Sequence, residues 1–439
     1  MMIKFSIEKC FAREILDSRG FPTVEATVVL TDGTIGIASV PSGASTGSFE
    51  AHEKRDGNRT RYMGKGVREC AEAAKSVFSP LLYGKDPSRQ REIDALLCEA
   101  DGTGDKSRYG ANLILALSMA VARAAANAYH LPLYRYIGGT AADRLPVPMM
   151  NVLNGGAHAS NNVEIQEFMI VPVGAKSFAD AIRMGSEIYH TLKKLLLSNG
   201  YGTAVGDEGG FAPNLNSDEE ALDLLVDAVN TAGYDTGTVR LALDAAASEW
   251  HLENGVYRLP KRGNEKTRQD LIAYWKRLAA RYPILSIEDG LDEEDFHGWR
   301  ELTEAIGEST MLVGDDLFVT NTERIRKGIS LGAANAVLVK PNQIGTLSET
   351  LDLIHLAREQ GYRHVLSHRS GETEDTSIAD LAIGTSAAFI KAGAPCRSER
   401  VAKYNRLLRT EASLGSYARF GDSALRAEES LPEAVKIEL

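Results

Sequence analysis

Short apolar runs in the second half of the chain each end on a charged or ionisable residue. Runs of about four to eight apolar residues, rich in β-branched side chains, are typical of strands buried in a parallel sheet. The polar residue at the end of each run marks the point where the strand leaves the core. The six runs are LALD, ending at Asp244, LSIE at Glu288, MLVGD at Asp315, AVLVK at Lys340, HVLSH at His368 and AAFIK at Lys391.

Segments with the period of an amphipathic helix separate these runs, for example residues 270–282 and 346–362. A repeated order of strand and helix predicts a parallel α/β fold. Successive run ends lie 23 to 44 residues apart, which suits βα units that close into a TIM barrel. Because the active site of such a barrel lies at the carboxyl ends of its strands, the six residues predict the active site of an enzyme.

The beginning of the chain has a different pattern. Residues 3–42 contain alternating segments around an Asp32-Gly33 turn, which predicts an antiparallel meander. Helical segments follow over about residues 66–137, and one of them, YGANLILALSMAVA, is too short to span a membrane and predicts a buried helix. The pattern indicates an α+β domain that precedes the barrel.

Two prolines and a glycine pair in the segment LPVPMMNVLNGG separate the two patterns. We therefore predict an N-terminal α+β capping domain over residues 1–142 and a catalytic TIM-barrel domain over residues 143–439.

The composition is that of a large folded protein that does not bind nucleic acid or anionic membranes. The chain has 439 residues, of which 44% are hydrophobic and 25% charged. Its net charge of −11 and the lack of a basic run argue against nucleic acid or an anionic membrane as a partner. An anionic ligand would need a local basic pocket.

Cysteine usage and the first residues predict a cytoplasmic protein. The four cysteines (Cys10, Cys70, Cys98 and Cys396) have no CxxC spacing, which favours unpaired thiols in a reducing compartment over a disulfide framework or a zinc site. Charged residues from Lys4 onward interrupt any apolar stretch that could serve as an export signal.

The charges at the run ends are sorted by sign. Three consecutive runs end on carboxylates, and the next three end on Lys, His and Lys. Three converging carboxylates suit a hard divalent cation, above all Mg²⁺, and the basic half would hold an anionic substrate. Ordinary solvated strand ends are the alternative for any single residue, but six in a row, sorted by sign, argue against it.

Ten segments, spread over nearly the whole chain from Leu16 on, resemble the enolase family in its bacterial form. They are LDSRGFPTVE, PSGASTG, LNGGAHASNNVEIQEFMI, GDEGGFAPN, LDAAASE, SIEDG, GDD, LVKPNQIGT, SHRSGETEDT and KAGAPCRSER. Chance similarity to one of them would not bring the others in the same order. The departures, Phe21 in place of the more usual Asn and Ser160 where many bacterial members have Asp, fall outside the catalytic and metal positions.

The resemblance implies a hydro-lyase that converts 2-phosphoglycerate reversibly to phosphoenolpyruvate and water in glycolysis and gluconeogenesis, with two Mg²⁺ ions per site. It also implies a homo-oligomer, either a dimer or an octamer. The barrel would be the variant with an antiparallel start.

The resemblance assigns roles to the charged run ends. Asp244, Glu288 and Asp315 would hold the first Mg²⁺ beside the substrate carboxylate. Lys340 would be the base, with a pKa lowered by its surroundings. Lys391 would bind the substrate, and its like charge would help to lower the pKa of Lys340. A salt-bridged structural lysine is the alternative for Lys340.

Loop residues would complete the site. Glu208, in GDEGG, corresponds to the general acid, although a carboxyl group flanked by glycines is otherwise most often a turn residue. Gln166, Glu167 and His158 would hold the hydroxyl and carboxyl groups of the substrate.

The phosphate would be bound by a fork of donors, Arg369 with the adjacent Ser370. His368 would contribute from the same strand end. A histidine at the end of an apolar strand is otherwise more often a core residue with its hydrogen bonds satisfied.

Residues 43–47, GASTG, match the G-x-S-x-G pattern of α/β-hydrolases. That pattern needs a turn from strand to helix inside a parallel sheet, whereas this segment follows a predicted antiparallel meander. The resemblance implies instead a mobile lid whose Ser45 reaches the substrate and the second Mg²⁺.

Two other functions are compatible with such a family. The metal site could serve racemisation or ammonia loss, but those reactions need neither the lid segment nor the phosphate fork. A surface-receptor or scaffold role is also known for the family, and the final AVKIEL lacks the lysine pair that accompanies plasminogen binding.

Overall fold

The computed structural model describes residues 5–43, 47–252 and 255–421, and its first part is a three-stranded antiparallel sheet. Strand β1 (Ile7–Leu16) pairs with β2 (Pro22–Leu30), which pairs with β3 (Ile35–Ser39). Gly33 turns the chain between β2 and β3 with a φ of 85°, a conformation that glycine adopts without steric cost. The meander is thus present as predicted.

Five helices of the described chain follow this sheet: α1 (Arg68–Ala73), α2 (Ser79–Leu82), α3 (Gln90–Asp101), α4 (Ala111–Ala128) and α5 (Leu133–Gly138). Helix α4 has the length and hydropathy of a membrane span, yet 89% of it is buried inside the fold. It packs against β3 at Gly36, where a Cβ atom would lie 2.1 Å from the carbonyl oxygen of Ala120. The predicted buried helix is therefore the core helix of this part.

The rest of the chain alternates strands and helices around a closed barrel. Its strands are β4 (Arg144–Leu145), β5 (Val147–Asn154), β6 (Glu167–Val171), β7 (Arg240–Asp244), β8 (His251–Leu252), β9 (Val256–Arg258), β10 (Glu265–Thr267), β11 (Ile284–Glu288), β12 (Met311–Gly314), β13 (Ala336–Val339), β14 (Arg363–Ser367), β15 (Phe389–Lys391) and β16 (Arg419–Phe420). Its helices are α6 (Phe178–Ser198), α7 (Asp218–Thr231), α8 (Arg268–Arg281), α9 (Phe296–Ile306), α10 (Thr322–Leu331), α11 (Leu347–Glu359), α12 (Ser377–Gly384) and α13 (Ser398–Leu414).

Eight of these strands close the barrel in the order β11-β12-β13-β14-β15-β5-β6-β7. Strand β6 is antiparallel to both β5 and β7, and the remaining neighbours are parallel. This arrangement confirms the predicted barrel with an antiparallel start.

Local sequence fixes where many barrel helices begin. The residue before each of six helices accepts a hydrogen bond from a backbone N–H of the first turn, and such a cap is worth about 1 kcal/mol. These caps are Ser177 (α6), Ser217 (α7), Thr267 (α8), Asp295 (α9), Asn321 (α10) and Thr346 (α11).

Alternation along the strands fills the barrel interior with side chains. On β13, Ala336 and Leu338 point into an inner cluster that includes Val365 and Phe389, whereas Val337 belongs to the layer shared with the helices. Because the interior is packed with apolar groups, a binding site can form only at an end of the barrel.

The first part of the chain lies across the carboxyl end of the barrel. Ser42 forms an isolated antiparallel bridge with Gly371, and the backbone N–H of Ala51 donates to the carbonyl oxygen of Gln343 at 2.8 Å. Residues that follow β3 therefore border the edge at which the charged strand ends emerge.

Candidate active site

The six predicted strand ends lie at one edge of the barrel. Each is either the last residue of its strand (β7, β11 and β15) or the residue that follows it (β12, β13 and β14). Glu288 is buried beneath this edge. The polar residues that line the pocket there are His158, Gln166, Glu167, Glu208, Asp244, Asp289, Asp315, Asp316, Lys340, Ser367, His368, Arg369, Ser370 and Lys391.

Lys391 is the centre of the acidic half of the pocket. Its Nζ lies 3.2 Å from Glu167 Oε2, 3.1 Å from Asp244 Oδ2 and 2.8 Å from Glu288 Oε1. Burial acts to lower the pKa of Lys391, but the carboxylates of Asp244, Glu167 and Glu288 outweigh it and raise the pKa well above its ordinary value. The lysine is therefore a buried cation that partly neutralises three acids.

Lys340 forms an ion pair with Asp315. Burial and the nearby cations Arg369 and Lys391 act to lower the pKa of Lys340, but the charge of Asp315 outweighs them, so the pKa is raised. The pKa of Lys340 is thus shifted in the direction opposite to the expected lowering. The reason is the direct carboxylate partner, which the sequence does not reveal.

Asp289 is a pocket residue that the sequence patterns did not identify. Its two carboxylate oxygens accept hydrogen bonds from the backbone N–H groups of Asp315 (2.9 Å) and Asp316 (2.8 Å). Its φ of 45° is in the left-handed region, which costs energy for a residue other than glycine. Burial and the charges of Asp316 and Asp315 raise the pKa of Asp289, and burial and Asp315 raise the pKa of Asp316 to about 8.

Two groups of possible metal ligands have their donor atoms within 4.8 Å of one another among the described residues: His158, Glu167 and Glu208, and Asp289, Asp315 and Asp316. The predicted triad of Asp244, Glu288 and Asp315 is not one of these groups. Lys391 holds Asp244 and Glu288, whereas Lys340 holds Asp315.

The donor chemistry of the predicted triad nevertheless fits a divalent cation. Glu288 lies opposite Asp244 in the register of β11 and β7, and Asp315 follows the next strand. Burial and the charge of Asp244 raise the pKa of Glu288 well above its ordinary value. Hard, buried carboxylate oxygens of this kind suit Mg²⁺.

Glu208 and Glu167 approach the same imidazole. Nδ1 of His158 lies 3.5 Å from Glu167 Oε1 and 3.8 Å from Glu208 Oε1. Burial and the charge of Glu208 raise the pKa of Glu167 well above its ordinary value. Burial also acts to raise the pKa of Glu208, but His368, His158 and Arg400 hold it well below its ordinary value. The pKa values of the two acids are shifted in opposite directions because their neighbours differ.

Arg400 determines the orientation of His368. Its Nη1 lies 2.7 Å from Nδ1 of His368, and since arginine only donates hydrogen bonds, that ring nitrogen is the acceptor. The ring hydrogen is then on Nε2, which lies 3.3 Å from Glu208 Oε2. Burial lowers the pKa of His368 to about 4, so the ring is neutral at pH 7.

The loop that carries Glu208 is held against β5. Phe211 forms bridges with Leu153 and Val205, and a Cβ on Gly210 would lie 2.3 Å from Asn154 Oδ1. Nδ2 of Asn151 donates to Glu208 Oε2 at 3.0 Å. Glu208 lies in a turn, since the backbone N–H of Gly209 donates to the carbonyl oxygen of Gly206 at 3.1 Å, and its side chain lines the pocket.

Four polar atoms of the pocket have no hydrogen-bond partner within the part of the chain that the structure describes: Oε1 of Gln166, Nδ1 of His158, Oε2 of Glu167 and Nε2 of His368. The last two lie at ion-pair distance from Lys391 and Glu208. Nε2 of Gln166 donates to Asp244 Oδ2 at 3.3 Å, which fixes the direction of the amide. Gln166 and His158 line the pocket, so Gln166 Oε1 is a potential acceptor, and His158 Nδ1 a potential donor or acceptor, for a ligand.

The predicted phosphate fork lies at the border with the N-terminal part. Arg369 and Ser370 both line the pocket. The guanidinium of Arg369 contacts Glu50 and Asn342. Burial acts to lower the pKa of Arg369, but the charge of Glu50 outweighs it, so the pKa is raised. Ser45 lies outside the described residues.

Sequence reasoning missed several residues that hold the pocket together: Glu50, Asn151, Asp289, Gln343 and Arg400. Asp289, Gln343 and Arg400 lie within segments that resemble the family, and Asp289 directly follows a strand end. Glu50 and Asn151 act through contacts between distant parts of the chain, for which the sequence contains no local signal.

Comparisons with known proteins cover almost the whole chain. A family model described as "Enolase, N-terminal domain" matches residues 7–137, and one described as "Enolase, C-terminal TIM barrel domain" matches residues 142–428. A curated relative named enolase, from Acidothermus cellulolyticus, is 58% identical over 419 residues, which are 95% of this chain and 97% of the relative.

Proposed function

Since the chain belongs to the enolase family, we propose that Lys340 and Glu208 are the base and the general acid of its reaction. The activity is that of a phosphopyruvate hydratase, a lyase that interconverts 2-phosphoglycerate with phosphoenolpyruvate and water. Removal of the proton beside the substrate carboxylate places a second negative charge on that group, so the site must concentrate positive charge there. Enzymes of the enolase superfamily meet this need in general with a Lys or His base and one or two Mg²⁺ ions.

Family membership implies dependence on Mg²⁺, and the identity of the ligands is our proposal. Asp244, Glu288 and Asp315 would hold the first ion, which supplies Lewis-acid charge beside the substrate carboxylate when bound. A second ion would involve Ser45, as the resemblance implies. The donor set of three buried carboxylates on adjacent strands supports the first assignment.

Lys340 can act as a base only after it loses a proton. In the structure the charge of Asp315 keeps that proton on the amine. If a cation engages Asp315 and Glu288, the two carboxylates that raise the pKa of Lys340 are neutralised, and burial, Arg369 and Lys391 remain to lower it. The chain therefore contains the means to change Lys340 from an ammonium group to a base.

Glu208 must deliver a proton to the departing hydroxide. Glu167 and Glu208 both lie near His158, and the raised pKa of Glu167 indicates that this pair retains a proton. The Nε2 hydrogen of His368 faces Glu208. We infer that Glu208 receives its proton within this group when the substrate hydroxyl arrives.

The remaining residues would seat the substrate. The orphaned Oε1 of Gln166 and Nδ1 of His158 would bind its hydroxyl or carboxyl group. Lys391 would bind the carboxyl group, while Arg369 and Ser370 would bind the phosphate, because a planar guanidinium matches phosphate oxygens in pairs.

Wider properties of the protein are inferred in the same way. We propose a capping domain over residues 1–142 and a barrel domain over residues 143–439, a cytoplasmic location and a homodimer or octamer. Sedimentation with and without Mg²⁺ measures the oligomeric state.

The observation that supports the assignment of base and acid is that Lys340 and Glu208 have different partners inside one pocket. Lys340 pairs with Asp315, whereas Glu208 lies among Asn151, His158 and His368. The test is incubation with 2-phosphoglycerate and Mg²⁺ while the ultraviolet absorbance of the enol phosphate is followed. A Lys340→Ala variant that produces this absorbance at the wild-type rate would contradict the assignment.

A further inference from the structure

Glu50 is the buried partner of the predicted phosphate fork. Its Oε2 lies 2.9 Å from Nη1 of Arg369 and its Oε1 lies 3.1 Å from Nη2, so the two side chains form a two-pronged ion pair. The side chains are only 7% and 3% exposed. In such a dry location a two-pronged pair fixes the plane of the guanidinium.

The same carboxylate contacts the segment next to the predicted lid. The backbone N–H of Gly47 donates to Glu50 Oε1 at 3.1 Å. Glu50 therefore ties the backbone at Gly47 to an arginine of the barrel.

Glu50 is also connected to the acidic half of the pocket. Nε2 of Gln343 lies 3.3 Å from Glu50 Oε1 and donates to Asp315 Oδ1 at 2.9 Å. Thr320 Oγ1 donates to Oε1 of Gln343 at 2.7 Å, which fixes the direction of this amide. A continuous set of buried contacts thus joins the phosphate fork to the carboxylate that pairs with Lys340.

We propose that Glu50 is a positioning residue for phosphate recognition. It holds the guanidinium of Arg369 in the plane in which the phosphate is bound, and it links that group to the backbone at Gly47 and, through Gln343, to Asp315. This inference rests on the proposed role of Arg369. The phosphate-binding geometry is then built jointly by the N-terminal part and the barrel.

An alternative role for Glu50 predicts the opposite effect on phosphate binding. If Glu50 occupied Arg369 as a stand-in for the phosphate, its removal would strengthen phosphate binding. The further contacts with Gly47 and Gln343 favour positioning, because Glu50 would lose them as well if phosphate displaced it.

The test is the variant Glu50→Gln, which keeps the shape of the side chain and removes its charge. We expect KM for 2-phosphoglycerate and the inhibition constant of inorganic phosphate to rise by about tenfold to a hundredfold, which is the size of effect known for residues that orient metal ligands. The value of kcat should change less than KM. A purely structural role would lower thermal stability without this selective rise.

Asp352→Asn is the matched control. Asp352 pairs with Arg91 at 2.6 Å and, like Glu50, joins the N-terminal part to the barrel, but the pair is exposed and lies outside the pocket. This control should retain wild-type kinetics. If Glu50→Gln does not fold, Glu50→Asp keeps the charge, shortens the reach by one methylene and should raise KM to an intermediate value.

A double-mutant cycle with Arg369→Lys separates this inference from the proposed function. If Glu50 acts through Arg369, Glu50→Gln should have a much smaller effect on KM in the Arg369→Lys background. Three results would overturn the role of Glu50 and leave the role of Arg369 intact: equal effects of Glu50→Gln on KM in both backgrounds, an unchanged KM for Glu50→Gln, or tighter phosphate binding by that variant. An unchanged KM for Arg369→Lys itself would overturn the phosphate assignment and, with it, this inference.

Discussion

The proton affinity of each ionisable residue in the pocket depends on the charges that it contacts. Lys391 contacts three carboxylates, and Lys340 contacts one. A buried ion that loses its partner costs several kcal/mol, roughly 3–5 kcal/mol when a pair is broken. If the proposed metal ligands are correct, single substitutions here should change metal affinity and proton affinity together.

Asp315→Asn is expected to weaken activation by Mg²⁺ by about tenfold or more, since it removes one of three negative charges from a hard-cation site. It should also lower the pKa of Lys340 by removing the charge that raises it. Activity is measured against Mg²⁺ concentration at saturating 2-phosphoglycerate, with Asp352→Asn as the control. Full activity of Asp315→Asn at the wild-type Mg²⁺ concentration would show that Asp315 is not a ligand.

Among the structural elements, the barrel strands were the most predictable. Each apolar run ends where the side chains leave the packed interior, so both the strand and the charged residue at its end can be derived from the sequence. The ion-pair partner of each charged residue cannot be derived in this way, because ion pairs join residues that are far apart in the chain. Glu50 and Arg369 are separated by 319 positions, and the raised pKa of Lys340 follows from Asp315 on another strand.

The contact between β3 and α4 sets a limit on side-chain size at one position. A Cβ on Gly36 would lie 2.1 Å from the carbonyl oxygen of Ala120 and 2.3 Å from the backbone nitrogen of Ala124. Gly36→Ala should therefore destabilise the fold by about 1–3 kcal/mol through overpacking.

Urea unfolding of Gly36→Ala, compared with Gly202→Ala, measures this effect. A Cβ on Gly202 would have no neighbouring heavy atom within 4 Å. Equal unfolding midpoints for the two variants would show that the helix moves away from the strand at little energetic cost.

At the scale of the whole molecule, burial of ionisable groups makes stability depend on pH. His364 on β14 is buried, and Nε2 lies 3.2 Å from Thr385 Oγ1. Burial lowers its pKa to about 3. Below its ordinary value of about 6.5 the unfolded chain binds a proton that the folded chain does not, so stability falls as the pH decreases from about 6.5 towards 3.

The contribution of His364 to this loss is expected to be on the order of 2 kcal/mol between pH 7 and pH 5. His364→Gln should remove it, whereas His355→Gln, at an exposed position on α11, should leave it in place. Urea unfolding of all three proteins at the two pH values measures the difference. If His364→Gln lost as much stability between pH 7 and pH 5 as the wild type, His364 would not be the source of the loss.

The central claim is that Lys340 removes the proton and that Glu208 assists the departure of hydroxide. The two steps can then be interrupted separately, and proton NMR of 2-phosphoglycerate recovered from deuterated water with Mg²⁺ reads the first step directly. Variants are compared only if their circular dichroism matches the wild type. Glu208→Gln should still exchange the α-proton while it forms little phosphoenolpyruvate, and Lys340→Ala should do neither. Exchange at the wild-type rate by Lys340→Ala, or loss of all exchange in Glu208→Gln, would contradict the account.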